Sequence, residues 1–177
     1  MSHKTYPLTD QLHYIVTRIT THRIRKDEKI GEKVLQTATG FFYHNTRSKL
    51  LFLITNRHVV QEPHFPNAIK LTLHTNAADM TQNTEYPIHL YKGTKPVWRT
   101  PNPPNADVVA IPIDRKDFAN IRYKSINVVN LLDKRFRLDI GDDVMIIGNP
   151  LNLYDDIHNL PLVMGGTISS PHPIPWR

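Results

Sequence analysis

What most limits the fold open to this chain is the shortness of its apolar runs. His13 to Ile24, Lys33 to Tyr43, Leu50 to Thr55, Ala68 to His74, Tyr86 to Tyr91, Asp107 to Ile113, Asp143 to Gly148 and Leu160 to Ser170 are mostly rich in Val, Ile, Thr, Tyr or Phe, and Asn, Asp, Gly or Pro bounds most of them. Such segments read as strands. No window sustains a 3.6-residue stripe for more than about two turns, the best helical candidates being the turn after His58 and Lys116 to Ile121. The pattern predicts an all-β fold, a barrel or a sandwich.

The loops support this reading. Pro is 14 of 177 residues and Gly only 7, so Pro-fixed connections do much of the turning. Tyr43 to Lys49 reads as a hairpin loop and Gly141-Asp142-Asp143 as a hairpin turn. Asn76 to Thr84 and Thr94 to Asn105 read as longer connections. Pro171 to Arg177 cannot pair as a regular strand, because its three prolines lack a backbone donor. Met145 and Met164 are read as core.

With no Cys, the chain has no disulfide, thiolate metal site or thiol nucleophile, and the fold must rest on packing. No run approaches the roughly 18 apolar residues of a membrane helix, and Met1 to Asp10 has no signal-peptide core, so the expectation is a soluble, cytoplasmic protein with no membrane partner. The net charge of +6 is concentrated early, with nine Lys and Arg against four Asp and Glu in the first 50 residues. Arg18, Arg23, Arg25, Lys26, Lys29 and Lys33 form the basic segment. Asp27, Glu28 and Glu32 interrupt it and no aromatic residue interleaves it, which favours a solvated hairpin over a nucleic-acid interface.

Two stretches carry chemistry. In Leu51-Phe52-Leu53-Ile54-Thr55-Asn56-Arg57-His58-Val59-Val60 an apolar strand runs straight into an imidazole, which a rigid rim can aim while water still reaches it. In Asp107-Val108-Val109-Ala110-Ile111-Pro112-Ile113 a carboxylate opens a strand too apolar to be exposed, and a charge there needs a partner. The ten His include no His-x-His or His-x-x-x-His pair, which argues against a metal site. No cofactor is expected.

The order and setting of these residues resemble those of the trypsin-like serine peptidases, particularly the disulfide-free bacterial type related to the high-temperature-requirement proteases. The likeness runs through Gly40-Phe41, Thr55-Asn56-Arg57-His58-Val59-Val60, Trp98, Asp107-Val108-Val109-Ala110-Ile111-Pro112, Gly141-Asp142-Asp143-Val144, Gly148-Asn149-Pro150 and Gly165-Gly166-Thr167-Ile168-Ser169. It implies a chymotrypsin-like double β-barrel, with a complete first lobe at 10–114, a linker at 115–126 and an incomplete second lobe at 127–177. It makes His58 the general base and acid, and Asp107 the buried group that fixes its tautomer. Ala38 departs in a minor way, standing where the family often has Gly.

The larger departure concerns the nucleophile. The resemblance places a Gly-flanked serine turn, with its oxyanion-hole amides, after Asp107, yet Ser125, Ser169 and Ser170 have no Gly on either side. The sequence stops at Arg177 before such a turn could arrive, so the 177 residues by themselves are expected to be inactive. The partner implied is a polypeptide substrate or peptide ligand. Self-association, or a complementing chain through the unfinished second barrel, is a further expectation. The alternative is a non-catalytic peptide- or protein-binding module on a protease scaffold.

Overall fold

The computed structural model describes residues 9–24, 33–61, 64–76, 78–102, 106–131 and 138–170. A single helical turn, α1 (Thr9–Leu12), precedes β1 (Val16–His22), β2 (Val34–Asn45) and β3 (Leu50–Thr55), and a second turn, α2 (Arg57–Val60), follows directly. Then come β4 (Ala68–His74), β5 (Asn83–His89), the short pair β6 (Tyr91–Lys92) and β7 (Lys95–Pro96), and β8 (Val109–Ile113). The last two strands are β9 (Asp143–Gly148) and β10 (Leu162–Thr167). The architecture is all-β, as the apolar runs predict.

Six strands form one antiparallel sheet in the order β5-β4-β1-β2-β3-β8, curled into a half-barrel. The segment from Leu90 to Arg99 reaches from the β5 edge to the β8 edge: Val97 N–H donates to the Leu90 carbonyl at 2.9 Å, and Arg99 and Ala110 exchange backbone hydrogen bonds at 2.8 and 2.9 Å. Ile19, Leu53, Ile69, Leu71, Leu90, Val59, Val60, Val109 and Ile111 fill the curl and are fully buried. Each such side chain stabilises the fold by roughly 1.5 to 3 kcal/mol relative to exposure.

Gly40 in β2 is dictated by its neighbours. A Cβ there would lie 2.7 Å from Leu53 Cδ1 and 2.8 Å from Ile19 Cδ1, side chains of the two flanking strands. Only a residue without a side chain lets both fill the core.

The expected linker packs against the sheet. A 3-10 turn at Arg115–Phe118 buries Phe118, whose ring meets Phe42, Tyr86 and Tyr123 edge-on at centroid distances of 5.5, 5.1 and 5.2 Å. Beyond it Arg122 N–H donates to the His74 carbonyl, Lys124 N–H to Tyr14, and Ile126 N–H to Phe42, at 2.7, 2.9 and 3.0 Å.

β9 and β10 pair antiparallel as a separate two-stranded sheet, with Val144 opposite Gly166 and Ile147 opposite Val163. Its apolar side chains are only partly covered: Met145, Ile146 and Val163 each expose more than half of their surface. Met145, with 57% of its surface exposed, is therefore not core; Met164 is half-buried. Among the described residues the turn predicted at Gly141-Asp142-Asp143 leads into β9. Gly141, with φ +95°, donates its N–H to the Ile168 carbonyl at 2.9 Å, so the turn starts β9 beside the end of β10.

Of the basic segment, Arg25, Lys26 and Lys29 lie outside the described residues, as does Pro171 to Arg177. Arg18 stacks its guanidinium 4.2 Å from the Tyr154 ring centroid, and Arg23 donates to the Phe65 carbonyl. Among the described residues no helix is long and apolar enough to cross a membrane.

Candidate active site

The pairing of β3 with β8 brings His58 and Asp107 together. The strands are antiparallel with Thr55 opposite Val109, so three residues beyond Thr55 and two before Val109 the chain arrives at the same end of the sheet. His58 stands in the first turn of α2, which buries Val59 and Val60 and thereby fixes the turn against the core. Asp107 sits just before the ladder of β8 begins.

One carboxylate grips one histidine at two points. Asp107 Oδ2 lies 2.6 Å from His58 Nδ1, and Asp107 Oδ1 accepts the His58 backbone N–H at 3.0 Å. Because an ionised carboxylate only accepts, a neutral His58 must carry its proton on Nδ1, leaving the Nε2 lone pair free. Partial burial pushes the Asp107 carboxyl up. The hydrogen bonds from the His58 ring and backbone, the His58 charge and a hydrogen bond from Asn56 outweigh this and hold it below the ordinary carboxylate range.

The site is open. His58 and Asp107 expose 52% and 48% of their side chains, so the carboxylate expected to be buried is not. It precedes β8 rather than lying within it, and no described segment covers it.

Around the pair lies a hydrogen-bonded scaffold with no role assigned from the sequence. Asn56 Nδ2 donates to the Asp107 carbonyl at 3.0 Å and to Asp107 Oδ2 at 3.3 Å. Thr55 Oγ1 donates to the Thr39 carbonyl at 2.9 Å, and Thr39 Oγ1 accepts the Asn149 N–H at 2.8 Å. Gly148 is fitted to the same contact, since a Cβ there would lie 3.1 Å from Thr39 Oγ1. The end of β9 is thus fastened beside the strand end that carries His58.

A second imidazole–carboxylate pair has the same grip. His158 Nδ1 lies 2.8 Å from Asp155 Oδ2, and Asp155 Oδ1 accepts the His158 N–H at 3.1 Å. Its partners are only three residues apart, so the contact closes a local turn, whereas His58 and Asp107 are brought together by the sheet from 49 residues apart. Its Asp-x-x-His spacing was the available sequence signal.

Among the described residues no serine hydroxyl bonds to His58, and no group of three or more metal-ligating side chains is arranged to hold a metal ion. No protein-family model matches the chain, and no curated protein does.

Proposed function

We propose that this chain belongs to the trypsin-like serine endopeptidases and supplies the histidine and aspartate of their triad. The observation that carries this reading is the double grip of Asp107 on His58 across adjacent strands. His58 Nε2 takes the proton of an attacking serine and returns it to the leaving amine; Asp107 holds the ring in the required tautomer and steadies the imidazolium. The chemistry needs no cofactor. The curled sheet is read as the first of two barrels, and β9 with β10 as the start of the second.

The nucleophile has to come from a Gly-flanked serine turn, which these 177 residues do not contain. Loss of the serine alone removes on the order of 10⁶ in turnover in a comparable enzyme. The test is covalent labelling by a fluorophosphonate probe, applied to the product of the whole reading frame that encodes residues 1–177. Where that product carries such a serine turn, label that disappears in His58→Ala is expected, as is no label on the 177 residues alone. A full product that does not label, or labels independently of His58, overturns the reading.

The half-exposed apolar side chains of β9 and β10 favour a second reading, a module that accepts an extended polypeptide without cleaving it. Peptide binding that survives His58→Ala, with no labelling of the full product, selects it.

A further inference from the structure

We propose that Asn56 is the positioning residue of the His58–Asp107 pair, its carboxamide holding the backbone and carboxylate of Asp107 against the imidazole. The inference rests on the peptidase reading for its catalytic meaning, though the clamp itself is testable without turnover.

Asn56 occupies the N-cap of α2 in extended backbone, φ −72° and ψ 147°. An asparagine there ordinarily accepts the N–H of the second or third helical residue with its own side chain. Here it makes no such cap bond. The N–H of the second helical residue, His58, is accepted by Asp107 instead. The carboxylate caps the helix from 49 residues away, and the asparagine side chain is turned toward the group that displaced it.

Its orientation is dictated chemically. Both atoms it faces, the Asp107 carbonyl oxygen and Oδ2, can only accept, so the NH₂ end must point at them. The clamp matters because Asp107 lies outside the β8 ladder and is half-exposed, so neither strand pairing nor a packed shell fixes it. A free side chain in water would sample several rotamers. Asn56 spans main chain and carboxylate of one residue, and that restricts both.

The experiment is ¹⁵N NMR of the neutral His58 ring in the 177-residue chain. In the wild type the Nδ1–H tautomer should dominate. In Asn56→Ala its population should fall at least about twofold, because the carboxylate then keeps only its bonds to His58 itself. Asn56→Asp remains a competent N-cap but cannot donate and repels Asp107, so a residue acting only at the helix terminus would tolerate it, while the clamp predicts the same loss. Asn56→Gln should recover part of the wild-type ratio.

A wild-type ratio in both Asn56→Ala and Asn56→Asp overturns the proposal. If Asn56→Ala does not fold, Asn56→Asp decides. If neither folds, an Asn56 carboxamide proton in the wild type, hydrogen-bonded and released in Asp107→Ala, supports it, and its absence overturns it. A responsive tautomer ratio with failed fluorophosphonate labelling keeps the clamp and removes the peptidase reading; the converse removes the clamp alone.

Discussion

The backbone N–H of Asn149 donates to Thr39 Oγ1 at 2.8 Å, joining residues 110 apart in sequence and tying the end of β9 to β2. Asn149 is buried, so its N–H has no easy recourse to water. Thr39→Val keeps the shape and removes the acceptor. It should destabilise the chain by about 1 to 3 kcal/mol, while Thr39→Ser should be much milder. Urea unfolding of both variants checks this; equal midpoints would show that the contact is not a fastening.

Gly40 tests the packing of the curl. Gly40→Ala puts a methyl against the terminal methyls of Leu53 and Ile19, both fully buried, and 3.2 Å from the Ile54 carbonyl oxygen. The expected cost is about 1 to 3 kcal/mol. Gly40→Ala combined with Leu53→Val should recover part of it; if the double variant is merely additive, the clash lies elsewhere.

The response to pH should have two windows. His22 and His74 are buried, and burial holds both below the ordinary value of 6.5. For His22, Lys70 adds to this, while the Lys33 carbonyl and Glu85 work against it. The unfolded chain takes up these protons first, so the stability conferred by the neutral rings is complete above 6.5 and is lost as pH falls below it. Asp107 and Asp155 are held below the ordinary 3.8, so their contribution is present above that value and lost as pH falls further. Urea midpoints between pH 8 and 3 follow both windows. His22→Gln should flatten the slope between pH 7 and 5, and an unchanged slope there would remove His22 from the account.

Asp107→Asn separates stability from chemistry. The pair is half-exposed, so the substitution should cost less than about 1 kcal/mol. A carboxamide NH₂ facing Nδ1 would, however, force the proton onto Nε2 and abolish the base. In the full product the rate of probe labelling should fall by about 10⁴. Stopped-flow labelling checks it, and a loss below tenfold would mean that Asp107 does not set the tautomer.

How much of this was legible in the sequence follows from what each segment faces. β3, β4 and β9 begin and end where their apolar runs do, because the flanking residues are turn formers. The apolar run predicts Asp107 and Val108 within β8, but the ladder starts only at Val109, so the carboxylate stands free of it. β5 starts earlier than its apolar run, at Asn83, since an edge strand needs no apolar partner on its outer face. The meeting of His58 and Asp107 was expected from order and setting. The roles of Asn56 and Thr39 were not, because polar side chains that bond to distant backbone leave no periodic trace.

The aromatic contact of Phe118 with Phe42, Tyr86 and Tyr123 moves the boundary of the smallest autonomous unit. A domain excised after Ile113 would keep every strand of the curled sheet and yet unplug it, baring Phe42 and leaving the carbonyls of His74 and Tyr14 without their donors. Excision or gene fusion that respects the physics has to carry the chain past Ile126.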